Sequence, residues 1–290
     1  MERIRPRHLS TVLVASLLAV GLCASISSAA TGNGSLTPGD HTFTLAVQGT
    51  TRSFILHVPP GAPVTRRPLL LIFHGSRASA QGTIGVTDFE QVANRTGQLV
   101  AFLQGVNDHW NEYSGTFGSG GVNDVTYTSD VIKDIEANVA FDHTRIVAAG
   151  FSNGALMVQS LGCQLARTLA MIVPVEGQIT TSMVKMCAPA RPLSVFEIHG
   201  TADASIAYGG GGYLSVLSAP GSVAKWASYD HCSKKATTTK PSHSVQTTTY
   251  PSCRGAAHVA LMTIFGGVHR WTPGIGEIVT AAFPWSKPAG

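Results

Sequence analysis

Ala149-Gly150-Phe151-Ser152-Asn153-Gly154 stands between two runs of different periodicity. Upstream, Thr144-Arg145-Ile146-Val147-Ala148 is β-branched and apolar and reads as a buried strand. Downstream, Ala155-Leu156-Met157-Val158-Gln159-Ser160-Leu161 reads as a helix. Between them lies Gly-x-Ser-x-Gly, which in a strand–turn–helix context forms a nucleophile elbow. The turn is so tight that the serine takes a strained backbone conformation. Its neighbours two residues away on either side must then be small, as Gly150 and Gly154 are. Ser152 Oγ then stands exposed at the C-terminal edge of a sheet, and the first N–H groups of the helix point to the same spot. The pentapeptide alone is weak evidence in a chain with 31 glycines. The flanking strand and helix carry the reading.

Outward from the elbow, apolar runs alternate with helical patterns. Residues 69–73 and 99–103 are continuous apolar runs, the mark of strands covered on both faces. Residues 170–175, 193–198 and 259–265 read as further strands, and residues 42–47 and 52–58 as a hairpin around Gln48-Gly49-Thr50. Helical spacing is expected over 88–96, 124–139, 222–229 (with Trp226 inward) and 275–283. Strands alternating with helices imply a mostly parallel sheet with helices on both faces, here of about eight strands.

The first 30 residues do not belong to that core. Arg3, Arg5 and Arg7 precede a short apolar stretch over 11–23, and Ser28-Ala29-Ala30 offers a small-residue cleavage site. This is the pattern of a secretory signal peptide. The expected organisation is a signal peptide over 1–30, a flexible segment over 31–41 and one catalytic domain over 42–290, secreted and monomeric, with no membrane attachment after cleavage. Removing the signal lowers the formal charge from +4 to about +2, too little and too scattered for a nucleic-acid partner. Cys163, Cys187, Cys232 and Cys253 remain, an even number that export would oxidise. Three connectivities are possible. Pairing sequence neighbours gives Cys163–Cys187 and Cys232–Cys253, each bridge contributing about 3 kcal/mol in the chain-entropy model. No Cys-x-x-Cys or His-Glu-x-x-His pattern points to a metal or redox centre, and no cofactor is expected.

A serine hydroxyl needs a base within hydrogen-bond reach, and the base needs an orienting carboxylate. With 11 histidines in the chain, position must choose. His269 follows the last strand in a Gly-rich loop, where a base belongs. His258 starts that strand, on the wrong edge, and His231 and His243 lie in loops near cysteines. Asp203 follows the strand at 193–198 and is the expected acid, with Asp230 as the fallback. The oxyanion donors are expected to be the backbone N–H groups of Asn153, directly after the nucleophile, and of Ser76, in the loop after residue 73. His74 reads as packing beneath the site.

Leu71-Ile72-Phe73-His74-Gly75, Gly150-Phe151-Ser152-Asn153-Gly154, His199-Gly200-Thr201-Ala202-Asp203 and Gly266-Gly267-Val268-His269-Arg270-Trp271 occur in one order. Together they resemble the secreted polyhydroxybutyrate depolymerase-like esterases, which are similar to feruloyl and acetylxylan esterases. The resemblance covers roughly residues 42–275. It implies an α/β-hydrolase fold, a Ser152–Asp203–His269 esterase without metal or cofactor, an ester substrate, small or polymeric, and two disulfides at positions like these. In Trp110-Asn111-Glu112-Tyr113 it implies a segment lining the acyl pocket, so Trp110 is expected to bind substrate; Trp271, beside His269, is expected to form a substrate wall, with packing as its alternative. Val268 departs from the family's run of glycines before the histidine, and Thr272 intervenes before Pro273-Gly274. No linker or polymer-binding module follows residue 275 as in extracellular depolymerases, so action on solid polymer is not implied.

Two other functions compete with ester hydrolysis. An exopeptidase of the prolyl-oligopeptidase type shares fold and triad, but no site for a charged peptide terminus is evident. A non-catalytic binding protein of the same fold would have no need of Ser152, Asp203 and His269 together.

Overall fold

The computed structural model describes residues 36–61, 67–112 and 121–282. The expected signal peptide lies outside them, as does Tyr113. The chain opens with β1 (Gly39–Val47) and β2 (Thr50–Val58), an antiparallel pair with Val47 opposite Thr50. Gln48 (φ 50°) and Gly49 (φ 81°) form its two-residue turn, and this left-handed geometry matches the twist of the flanking strands. The strand starts at Gly39, ahead of the start at residue 42 read from the sequence.

The remaining strands are β3 (Leu69–Phe73), β4 (Leu99–Leu103), β5 (Ile146–Phe151), β6 (Met171–Val175), β7 (Ser194–Gly200), β8 (Thr237–Ser242), β9 (Val245–Tyr250) and β10 (Val259–Ile264). They form one sheet in the order β1-β2-β4-β3-β5-β6-β7-β10-β9-β8. The stretch from β4 to β10 is parallel throughout, and β2 and β9 flank it antiparallel. Among the described residues the sheet has ten strands rather than about eight. The β8–β9 hairpin is the addition: its Thr-, Lys- and Ser-rich residues are exposed or half-buried, so they lack the apolar alternation that marks a strand. β-branched threonines pair well on such an edge.

Among the described residues seven α-helices accompany the sheet: α1 (Ala80–Val86), α2 (Phe89–Thr96), α3 (Asp124–Asn138), α4 (Asn153–Gln164), α5 (Thr181–Met186), α6 (Ala219–Tyr229) and α7 (Ile275–Ala282). The short α1 and α5 were not read from the sequence. Side-chain caps start both: Ser79 Oγ accepts from Gly82 N–H at 3.0 Å, and Thr180 Oγ1 from Met183 N–H at 3.0 Å.

β3 shows why the sheet is covered twice. Leu69, Leu71 and Phe73 enter one core with Val131, Leu156 and Trp226, while Leu70 and Ile72 enter the other with Phe89, Ile275 and Val279. All five side chains of the strand are 0% exposed. Each contributes about 1.5–3 kcal/mol by burial, and truncating Ile72 to Ala would cost about 2–5 kcal/mol. Disulfides Cys163–Cys187 and Cys232–Cys253 tie the end of α4 to the residue after α5, and the loop after α6 to the approach of β10.

Candidate active site

Four adjacent strand ends meet at one edge: Ser152 follows β5, Glu176 follows β6, Asp203 follows β7 and His269 follows β10. Ser152 has φ 56° and ψ −121°, the strained conformation expected of the elbow. The glycines are dictated by space. A Cβ on Gly150 would lie 2.2 Å from Gly154 O, and one on Gly154 would lie 2.2 Å from Phe73 O. β5, α4 and the end of β3 can therefore approach only with glycine at both positions.

His269 Nε2 lies 2.9 Å from Ser152 Oγ, and His269 Nδ1 lies 2.7 Å from Asp203 Oδ2. Asp203 Oδ1 accepts from the N–H groups of Ser205 at 2.7 Å and Ile206 at 2.9 Å. Burial alone pushes the Asp203 carboxyl up. Hydrogen bonds involving His199, His269, the Ile206 N–H and Glu176 outweigh it and hold the carboxyl well below the usual carboxylate range. Asp203 is thus an anion aimed at the imidazole. Asp230, the fallback acid, is elsewhere: it caps α6 and accepts from Leu193 N–H at 3.1 Å, at the opposite end of β7.

Asn153 opens α4, and its side chain is buried. Its Oδ1 accepts from Trp110 N–H at 2.7 Å and its Nδ2 donates to Trp110 O at 3.2 Å. Trp110 Nε1 donates to His74 O at 2.8 Å, and the indole packs on Phe73 and Tyr127. Trp110 is 0% exposed. The expectation that it contacts substrate is corrected: its backbone and ring are consumed in bracing the elbow, and no part of it reaches the cleft. Arg52 and Asp124, a buried ion pair at 2.6 Å, hold the same loop, because Asp124 Oδ2 accepts from Asn111 N–H at 2.7 Å. His74 does lie beneath the site. Its Nδ1–H donates to Gly75 O at 2.8 Å and its Nε2 accepts from Gly105 N–H at 2.9 Å. Burial lowers its pKa, in keeping with a neutral ring.

Ser76 sits half-buried in the turn after β3. The next two N–H groups are spent, Arg77 on Asp108 O at 2.9 Å and Ala78 on Gly75 O at 3.2 Å. Trp271 lies beside His269 and packs on Phe151 and Phe89. With Gly75, Arg77, Thr83, Val86, Phe151, His269 and Arg270 it lines an open cleft of about 760 Å³.

Sequence reading missed Glu176. Its only signal is a carboxylate placed directly after the apolar run Met171–Val175. Glu176, Asp203 and His269 offer ligand atoms within 4.8 Å of one another, as do Asp40, His57 and Glu90 on the outer hairpin side. In the first group His269 and Asp203 already face each other in a hydrogen bond. In the second, His57 Nδ1 lies 2.6 Å from Asp40 Oδ1 and its Nε2 lies 2.9 Å from Asn94 Oδ1.

Residues 52–184 match the family described as esterase, PHB depolymerase. Over that stretch the chain is similar to the depolymerase-like esterases, and its mostly parallel, helix-covered sheet has the α/β-hydrolase fold. The chain is 29% identical over 232 residues to feruloyl esterase B of Piromyces equi, covering 75% of the present chain and 42% of that protein. It is 29% identical over 163 residues to the putative esterase NocK of Nocardia uniformis subsp. tsuyamanensis, covering 55% and 47%. The chain thus spans less than half the length of these curated relatives. The acetyl xylan esterase from Aspergillus awamori superposes with a TM-score of 0.60 at 12% identity, over 79% of this chain and 94% of that one. That likeness concerns the fold.

Proposed function

We propose that the chain is a secreted serine esterase that cleaves carboxylic esters through an acyl-enzyme. The observation that carries this reading is the unbroken hydrogen-bonded line from Ser152 Oγ through His269 to Asp203 Oδ2. Ser152 Oγ attacks the ester carbonyl carbon while His269 Nε2 takes its proton. Asp203 holds Nδ1–H and stabilises the imidazolium. The Asn153 and Ser76 N–H groups receive the oxyanion, each worth roughly 3 kcal/mol in the transition state. The intermediate collapses, His269 returns the proton to the alcohol oxygen, and the alcohol leaves. Water, deprotonated by the same imidazole, then releases the acid and regenerates Ser152.

The cleft favours short hydroxyacyl or aromatic acyl esters. Trp271 and Phe151 give it an aromatic wall, its mouth is open, and Arg77 and Arg270 keep its rim polar. A related feruloyl esterase supports the aromatic branch. Secretion is supported by the paired cysteines and by the basic-then-apolar first 30 residues. Among the described residues no helix is long and apolar enough to cross a membrane. We take the working form to be a monomer.

The test is a substrate panel at equal concentration: p-nitrophenyl acetate, butyrate and palmitate, methyl ferulate, soluble hydroxybutyrate oligomers and aminoacyl anilides. The highest kcat/KM is expected on butyrate, ferulate or the oligomers. Preference for palmitate or an anilide would overturn the substrate assignment.

A further inference from the structure

Glu176 is 1% exposed and holds φ 52°, a left-handed conformation that costs a non-glycine residue roughly 1–2 kcal/mol. Something must hold it there. Both of its carboxyl oxygens lie 3.0 Å from Gly200 N–H, at the end of β7. Its neighbour Gly177 packs under the elbow, where a Cβ would come 2.6 Å from Ala155 Cβ. The Glu176 carboxyl is therefore fixed beside Asp203 and His269, within 4.8 Å of both.

The charges around it leave one arrangement. Asp203 faces it as an anion, and Glu197 adds a more distant acidic group from β7. His199 Nε2 lies 3.3 Å from Glu176 Oε2 and 3.5 Å from Asp203 Oδ2, but its hydrogen is directed to Ile206 O at 2.9 Å. His199 Nδ1 makes no hydrogen bond. The His199 Nε2–H is directed to Ile206 O and His269 serves Asp203, so among the described residues no imidazole hydrogen is given to Glu176. Two like charges this close and this buried do not both ionise. Burial, with Asp203 beside it, pushes the Glu176 carboxyl up to about 9.

We propose that Glu176 is a positioning residue of the triad. Its protonated carboxyl hangs on the Gly200 N–H and donates its O–H to Asp203, which keeps Asp203 ionised and turned toward His269. The proposal rests on the triad reading above. It adds a group from the strand end between those of the serine and the aspartate, which acts on the imidazole only through Asp203. In alkali Glu176 loses its proton, the hydrogen bond to Asp203 becomes a repulsion, and the aspartate no longer holds its place.

The test compares the wild type with Glu176→Gln and Glu176→Ala. Glutamine keeps an N–H donor for Asp203 and an oxygen for Gly200 N–H but cannot ionise. Ethyl butyrate hydrolysis is followed by acid release across pH, and circular dichroism checks that each variant is folded. The wild-type rate should fall in alkali with a midpoint near 9, and that fall should vanish in Glu176→Gln. Glu176→Ala should lose roughly tenfold in kcat at neutral pH with KM little changed, and Glu176→Gln should recover part of the loss. Infrared difference spectroscopy gives a readout without turnover: a protonated-carboxyl band present at neutral pH in the wild type and missing in Glu176→Gln. The same alkaline fall in an active Glu176→Gln, or identical infrared bands, overturns the proposal alone. A folded wild type that hydrolyses no ester overturns the esterase reading instead.

Discussion

Glu197 and Asp203 belong to one strand and its outgoing turn, and both are buried, at 0% and 5% exposure. Their protons behave oppositely. Burial pushes the Glu197 carboxyl up to about 8. Asp203 is held well below the ordinary range, although burial acts on it in the same direction. The difference lies in the donors. Glu197 Oε2 has the Ser222 hydroxyl at 2.6 Å and the Gln159 amide at 3.1 Å, both neutral, and its Oε1 has no partner. Asp203 has two backbone N–H groups and an imidazole that can take up charge. Depth does not decide which buried acid stays ionised. Convergent donors do, and at Asp203 they converge beside the strained serine.

The largest effect should come from removing the charge at the functional end. Asp203→Asn keeps the shape and should lower kcat by about 10⁴-fold, measured by steady-state kinetics on protein that circular dichroism shows to be folded. An active Asp203→Asn protein would place the acid elsewhere. Next in size is the other end of the comparison. Ser222→Ala removes the hydroxyl donated to Glu197 and should cost about 1–3 kcal/mol in urea unfolding without altering kcat. A loss of rate there would join Glu197 to the chemistry.

Stability against pH sharpens the contrast. Glu197, like Asp230 at about 7 and Glu176 at about 9, has a folded pKa above its unfolded one. The folded state binds the extra proton, so the stabilisation is complete below the unfolded value of about 4.5 and is lost as pH rises through the folded value. Melting temperature should therefore decline from mildly acidic to alkaline solution. Glu197→Gln should make the decline shallower around pH 8 while leaving kcat at neutral pH alone. Asp203 has the opposite sign, its contribution disappearing only in strong acid.

Much of this site is legible in the chain because strand ends are. Continuous apolar runs such as Leu69–Phe73 exist only where both faces are covered, and the polar residue that ends such a run is already at the edge. Ser152, Asp203 and His269 could be chosen by that position. Trp110 could not be assigned, because its partners His74 and Asn153 come from other elements and only the fold shows that it faces them. Glu176 escaped for the same reason: its anchor, Gly200, lies on the neighbouring strand. The β8–β9 hairpin escaped because an exposed edge asks for little apolar pattern. Trp110→Phe gives the smallest effect, removing one hydrogen bond worth about 1 kcal/mol of stability and leaving KM nearly unchanged. A rise in KM of more than about tenfold would return Trp110 to the substrate wall.

The central claim is that Ser152, activated by His269, is the nucleophile. Intact protein treated with a fluorophosphonate and digested for mass spectrometry tests it most directly. The account predicts one equivalent of label on the peptide carrying Ser152, with none in Ser152→Ala and labelling slowed by orders of magnitude in His269→Ala. Label on a different serine, or undiminished ester hydrolysis by Ser152→Ala, would contradict it.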